Sequence, residues 1–562
     1  MQRHGISDQV IQTVLLADGI VSIIFAFFAH YLGFDPTPDW GSSRVLIGIL
    51  GVILIGIAFS LFKTSPAFIK VEKNKILFLL GHVLTFVFIV YAWFITFGTF
   101  TEWRASTHYY SLLADAFEKG QLNVDLDPGA TLLGLEDPYN PDIGRAIDDD
   151  IWDMSFYNGK LYLYWGPVPS LILLPFQLIS NKQFQDIYLV YFFFCALLLF
   201  NTLLIIKLWR LLYRDVPIYN VILSILVIGL ILPVLWSINI PNVYVAAIGA
   251  GQFFLMGGTY FVLIGFEKSL NKFYLFLAGL FWACAVGSRA MNVLPLLLIV
   301  PLTLLWMVRI SPKPFSWKQT ISPWLALISP LVAGAILIGW YNWARFDSPL
   351  EFGFRYQLTI HNLNKISSLT FQPDYLLPNL YAYVLQPFEF ISEFPFIQPV
   401  TIAQLFEAFR ITPPKIFYSG LVTGFFIYGP FLLFAFFSFR QIYRNLKEKS
   451  PSNNLYQIIV YILTIGFLIN FLSLLFFFFG QLRYSVDFIS QITLLAILGY
   501  WEVIHLKLKA NDLRSKSILF IANLFIIFTI AVSLLLSFTS ETGRFMRYNP
   551  ILIEKINMLF GI

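Results

Sequence analysis

The sequence predicts an all-α polytopic membrane protein, with about thirteen transmembrane helices and two long loops on one face. Three observations predict it. First, 58% of the 562 residues are hydrophobic and only 12% are charged, with a mean hydropathy of +0.73. A soluble domain carries about 25% charged residues. Second, apolar runs of roughly 20 residues, the length that spans a bilayer as a helix, recur along the whole chain. Third, the runs lack the alternation over about ten residues that marks a membrane barrel. Backbone groups in lipid must pair internally, so such runs are helices.

The expected spans are 11–31, 44–62, 76–98, 186–207, 217–237, 243–266, 272–288, 291–309, 322–343, 416–438, 455–479, 483–506 and 517–538. The first reads as a retained signal anchor, because it is longer than a signal-peptide core. Lysine and arginine in short connections set the orientation. Lys63, Lys70, Lys73 and Lys75 fall on the side of the N-terminus. So do Lys207, Arg210, Arg214, Lys268, Lys272, Arg309, Lys313 and Lys318. Arg440, Arg444, Lys447, Lys449, Lys507, Lys509, Arg514 and Lys516 complete the set. That side is expected to be cytoplasmic, with the C-terminus external, in a plasma (inner) membrane. Most acids lie on the opposite face, so the net charge of +5 reflects topology and implies no nucleic-acid partner.

Three regions follow. Residues 1–75 form a helical hairpin and a cytoplasmic loop. Residues 76–510 form the transmembrane core, with external loops 99–185 and 344–415. Residues 511–562 hold the last span and an external tail. Both long loops are rich in aromatic residues, as suits elements at a membrane interface. In the first loop, His108–Lys119 has apolar residues at helical spacing and Gly120 as a stop. Asn158-Gly159 signals a turn. The apolar run 169–179 is too short to span and reads as an interfacial or re-entrant helix. Cys195 and Cys284 both lie in spans, which excludes a disulfide framework or a cysteine-based metal site. Walker, Rossmann and HExxH motifs are absent, and Gly249, Gly251, Gly257 and Gly258 read as helix-packing positions.

Several segments, taken in order, resemble the type C (GT-C) membrane glycosyltransferases, the superfamily of protein O-mannosyltransferases and aminoarabinose transferases. They are YNGKLYLYWGPVPSLILLPFQLI (157–179) and KLWRLLYR (207–214), then LAGLFWACAVGSRAMNVLPLLL (277–298). WYNWARFDSPLEFG (340–353) and GQLRYSVDF (480–488) follow. The resemblance spans roughly residues 76–510. It implies a transfer of sugar from a polyprenyl-phosphate-linked donor at the external face, with a glycan, lipid or protein as acceptor. The chain departs from the family at one place. With Tyr110 aligned on the family's loop-helix tyrosine, Ser106 and Thr107 occupy positions where the family carries Asp-Glu.

Such a transfer needs a carboxylate within hydrogen-bond reach of the acceptor hydroxyl, and cations facing the departing phosphate. Asp153 leads the carboxylate candidates, followed by Glu102 and Asp115. Arg289, between two spans, is the first phosphate-binding candidate, with Arg483, Tyr484 and His108 beside it. Arg483 and Asp487 sit four apart, so a shared helix would pair them. Asp148, Asp149 and Asp150 form an acidic run that reads as a solvated loop with weak metal-binding capacity. No cofactor is implied with certainty, although a divalent cation could share the phosphate charge. Two other readings remain open on sequence: a transporter or flippase, and a non-catalytic protein of envelope polysaccharide assembly.

Overall fold

Without water to satisfy them, backbone N–H and C=O groups in a bilayer pair along the chain, and the apolar runs form helices. The computed structural model describes residues 8–30, 33–35, 41–60, 72–104, 107–141, 151–310, 317–410, 412–438, 440, 451–510, 513–539 and 543–560. The first three helices are α1 (Asp8–Phe28), α2 (Ser42–Ser60) and α3 (Glu72–Ile95). The first long loop contains α4 (Tyr109–Glu118), α5 (Gly129–Leu133), a hairpin of β1 (Ser155–Tyr157) and β2 (Lys160–Tyr162), and α6 (Val168–Ser180). The core continues through α7 (Asp186–Leu212), α8 (Ile218–Leu230), α9 (Leu232–Ile238), α10 (Val243–Glu267), α11 (Lys272–Ser288), α12 (Val293–Ile310) and α13 (Trp317–Phe346).

The second loop holds α14 (Leu363–Ile366), α15 (Leu376–Val384), β3 (Phe388–Phe390), β4 (Ile397–Thr401) and α16 (Ile402–Phe409). Beyond it lie β5 (Tyr418–Ser419), β6 (Leu421–Val422), α17 (Phe425–Tyr428), α18 (Pro451–Leu475) and β7 (Phe479–Gly480). The chain closes with α19 (Val486–Ala510), α20 (Leu513–Ser537), α21 (Arg544–Tyr548) and α22 (Pro550–Leu559). Among the described residues, eight helices are long and apolar enough to cross a membrane, or nine if α8 and α9 form one span bent by 46°. The protein is therefore an all-α multi-pass membrane protein. Its strands are short clips: β1 with β2, β4 between β3 and β6, and β5 parallel to β7.

Three local expectations are met. Helix α4 stops one residue before Lys119, and the Asn158-Gly159 turn closes the β1–β2 hairpin, both residues having positive φ. Helix α6 occupies the short apolar run after the hairpin. The expected span 416–438 differs. It is not one helix but a succession of β5, β6, α17 and a 3-10 turn at Pro430–Phe434. Gly420, Gly424 and Gly429 interrupt it, and Pro430 lacks the N–H that would continue the helix. A Cβ on Gly424 would stand 2.4 Å from the Leu385 nitrogen, so this segment is pressed against the end of α15.

Helix pairs approach closely through small residues, as membrane helices do. A Cβ on Gly279 of α11 would meet the Leu327 carbonyl oxygen of α13 at 2.1 Å. Gly257 and Gly258 of α10 seat the Phe281 and Trp282 rings of α11. The two long loops are tied to each other: Asp137 accepts from Lys365 Nζ at 2.7 Å and from Asn362 Nδ2 at 3.0 Å. The ammonium of Lys365, with Asn362 beside it, holds the Asp137 carboxyl below its usual range.

Two outcomes follow from this packing. Gly279→Ala should destabilise the fold by about 1–3 kcal/mol through overpacking, lowering the thermal midpoint in detergent. Gly81→Ala, inside α3 and with nothing within 4 Å of the added carbon, should not lower the midpoint. The Asp137 tie is fully present above about pH 4 and is lost as pH falls through the lowered native value. The protection factor of amides 362–366, the measured exchange corrected for the intrinsic rate at each pH, should therefore fall at acid pH, and Asp137→Asn should show the lower protection already at neutral pH.

Candidate active site

The site forms where several core helices end on the face that carries both long loops. Helix α11 stops at Ser288, Arg289 takes an extended conformation, and a 3-10 turn at Ala290–Asn292 leads into α12. This break lets the Arg289 side chain pack between α10 and the start of α19. Gly251 of α10 makes room for it, since a Cβ there would come within 3.1 Å of Arg289 Cβ. Helix α19 begins in a matching way, with a 3-10 turn over Leu482–Ser485 before its first α-helical residue.

These two breaks are joined by a buried ion pair. Arg289 Nη2 and Nε donate to Asp487 Oδ2 at 2.6 and 3.0 Å. The side chains are 15% and 7% exposed. Gln252 and Asn470 both donate to the Asp487 backbone carbonyl, at 2.8 and 2.7 Å. Asp487 Oδ1 is buried and has no hydrogen-bond partner among the described residues. The expected pairing of Asp487 with Arg483 is thus corrected. Arg483 lies in the 3-10 turn, so the two residues do not share an α-helical face, and Asp487 binds Arg289 instead.

Arg483 lies over aromatic rings, 4.5 Å from the Tyr244 centroid and 5.3 Å from that of Tyr484. Arg289 stands 5.8 Å from the Tyr484 ring. Tyr244, at the start of α10, donates its hydroxyl to Asp153 Oδ2. Trp165 meets the Tyr244 ring edge-on at 5.0 Å. Tyr164 completes the wall. Burial pushes its phenol up to about 12 against the pull of Arg289, with Tyr484, Asp153 and Glu351 also within electrostatic reach. Asp153, Tyr164, Tyr244, Arg289, Arg483 and Tyr484 are all half-buried, and these contacts join them into one cluster.

The hairpin that delivers Asp153, Tyr164 and Trp165 is itself anchored. Arg345, 4% exposed, donates to the Leu163 carbonyl at 2.8 Å and to Asn342 Oδ1 at 2.9 Å. Its guanidinium stacks 3.8 Å from the Tyr341 ring. A Cβ on Gly166 would lie 2.1 Å from the Gly287 carbonyl oxygen, so the loop rests on the last turn of α11.

Four of the residues expected from sequence therefore meet: Asp153, Arg289, Arg483 and Tyr484. The others stand apart. Glu102 pairs with Arg104 at 2.5 Å on an exposed surface, a contact worth little. Asp115 accepts from Gln177 and Gln183, both at 2.6 Å, and ties α4 to α6 and the segment after it. His108 is the N-cap of α4 without a side-chain capping bond, and its ring lies against Tyr109. Asp148, Asp149 and Asp150 fall outside the described residues. Among the described residues, no group of three or more His, Cys, Asp or Glu side chains could hold a metal.

Three residues escaped the sequence reading. Tyr244 and Gln357 carry no local signal. Asp186 had a faint one, an acid at the start of a span after a polar stretch. Its fully buried carboxylate accepts from the Thr107 hydroxyl at 2.5 Å and from the Tyr109 and Tyr110 N–H groups at 3.1 and 3.2 Å. It caps α4 from another helix, where a negative charge suits the helix N-terminus.

No family model matches the sequence, and no curated protein matches it. Among solved structures, the fold is similar to the Archaeoglobus fulgidus oligosaccharyltransferase in its apo form, with TM-score 0.46 and 14% identity over 82% of this chain and 57% of that one. It is also similar to oligosaccharyltransferase AglB of the same organism in complex with an inhibitory peptide and a dolichol-phosphate. There the TM-score is 0.43 and identity 12%, over 81% and 55% of the two chains. The chain thus spans a little over half the length of each of these structures.

Removing Asp487 strands a buried guanidinium. Asp487→Asn should destabilise the protein by about 3–5 kcal/mol, read as a lower thermal midpoint in detergent. The double change Arg289→Met with Asp487→Leu should recover most of that loss, because it removes both charges and leaves neither unpaired.

Proposed function

We propose that this protein is a membrane glycosyltransferase of the type C class, moving a sugar from a polyprenyl-phosphate-linked donor to an acceptor hydroxyl at the non-cytoplasmic face. One observation carries the reading. A carboxylate from the first long loop and two arginines from separate helix breaks belong to one half-buried cluster at the ends of the core helices. The ordered run of motifs between residues 157 and 488 supports it, and the positive-inside charge pattern supports an outward-facing site.

The chemistry assigns each group a task. Asp153 takes the proton from the acceptor O–H as that oxygen bonds to the anomeric carbon. The bond from the anomeric carbon to the phosphate oxygen breaks, and the electron pair leaves with the polyprenyl phosphate. Arg289 and Arg483 offset the charge on that phosphate, Arg289 with a fork already oriented by Asp487. General-base assistance of this kind contributes about 10²–10⁴-fold. The lipid tail would lie between helices below the cluster. The carboxylates described at the cluster do not converge as a metal cage, so no step is assigned to a cation.

The test uses purified full-length protein in nanodiscs with a panel of radiolabelled polyprenyl-phosphate sugars and a membrane extract as acceptor source. Wild type should retain and transfer one label. Asp153→Asn should retain that label and lose transfer by about 10²-fold or more. Arg289→Lys, which keeps the charge but loses the planar fork, should weaken retention. Failure of folded wild type to retain any donor would overturn the proposal. Full transfer by Asp153→Asn would remove Asp153 from the role of base.

A further inference from the structure

Asp153 has a positive φ of 59°, a left-handed conformation that side chains seldom adopt. Such strain persists where surrounding contacts over-determine it. Here those contacts come from the second long loop, some two hundred residues away in sequence. The Asp153 N–H donates to the Leu358 carbonyl at 3.0 Å, and Gln357 Nε2 donates to the Asp153 carbonyl at 3.2 Å. The Leu358 N–H donates to the Met154 carbonyl at 2.9 Å, and Ser155 bridges Gln357 as an isolated β-pair. Ser155 Oγ also donates to the Gly353 carbonyl at 2.9 Å. Gln357 is buried, 6% exposed, so its amide serves this junction rather than water.

The carboxylate is held separately. Tyr244 brings a hydroxyl to Asp153 Oδ2 from the first turn of α10. Its ring cannot swing away, because Trp165 meets it edge-on at 5.0 Å and Arg483 covers it at 4.5 Å. A hydrogen bond donated to a carboxylate favours its charged form. Among the described residues, the titratable groups around Asp153 include Tyr244 of α10 and Tyr164 after β2, with Arg483 and Tyr484 of the turn before α19 reaching the site through the Tyr244 ring.

We infer that Tyr244 and Gln357 are positioning residues for Asp153, the first holding its carboxylate and the second its backbone, so that docking of the second long loop sets the reactive geometry of the first. The inference rests on the proposed role of Asp153 as base. It predicts that the site is complete only when residues 353–358 are in place. The second loop then acts on the reaction without touching the donor.

The test reads Asp153 directly. Full-length protein in nanodiscs is treated with a water-soluble carbodiimide and an amine across a pH series. These reagents label protonated carboxyl groups, and mass spectrometry of the peptide holding Asp153 gives the labelling profile. Tyr244→Phe should raise labelling at a fixed mildly acidic pH by roughly tenfold, the effect of losing one hydrogen bond to a charged group. Tyr244→Gln, which keeps a donor, should return the profile toward wild type. Gln357→Ala should speed amide exchange of residues 151–155 by roughly two- to tenfold, leaving α10 unchanged. In transfer assays, both Tyr244→Phe and Gln357→Ala should lower kcat while leaving the donor KM within about threefold.

An unshifted labelling profile in Tyr244→Phe, or unchanged exchange in Gln357→Ala, overturns the inference. Labelling needs no sugar donor, so the two proposals fail separately. A shifted profile without transfer by wild type removes the activity and keeps the positioning roles. Transfer with an unshifted profile does the reverse.

Discussion

The Arg289–Asp487 ion pair is the contact on which the rest of the site depends. An arginine among apolar spans is costly unless paired, and so is a buried carboxylate. Joining the two fixes the end of α11 against the start of α19. The residues around the pair look arranged for it: Gly251 leaves space, and Gln252 and Asn470 hold the Asp487 carbonyl. Two of the Arg289 nitrogens converge on one Asp487 oxygen, which fixes the orientation of a guanidinium that stays partly exposed. Tyr484, three residues before Asp487, and Arg483 beside it inherit their places from the same turn.

The long loops then act as walls that need each other. The hairpin of the first loop hangs from Arg345 at the end of α13 and rests on Gly287 of α11. The second loop supplies the backbone partners that keep Asp153 in its left-handed turn. Below them, Asp186 caps α4 and binds Thr107, whose Oγ1 in turn accepts from the Val243 N–H at the head of α10. One carboxylate thus gathers α4, α7 and α10. The resemblance leads one to look for an acid at Ser106 and Thr107, and the structure brings one to Thr107 from α7. That acid is fully buried with its bonds satisfied, which suits support and not proton transfer.

How much of this was legible in the sequence depended on range. Helix α4, the Asn158-Gly159 turn and α6 follow from residues within a few positions of one another, and each forms where the local sequence predicts it. The segment 416–438 was misread because mean apolarity over about twenty residues hides three glycines and a proline that together break a helix. Asp153, Arg289, Arg483 and Tyr484 could be singled out as charged or polar groups near span ends on one face. Glu102 and Asp115 satisfied the same rule and lie elsewhere, since the rule says which face a residue is on and not which way it turns.

By itself, the sequence determined that the chain is a helical membrane protein and roughly where its helices run. Those properties come from hydropathy and charge summed over neighbouring residues, and lipid enforces them. Tertiary structure alone decided which carboxylate meets which cation. Asp153 and Tyr244 are 91 residues apart, and Arg289 and Asp487 are 198 apart. Their meeting depends on how helix breaks and loop clips aim individual side chains, and no local periodicity encodes that aim.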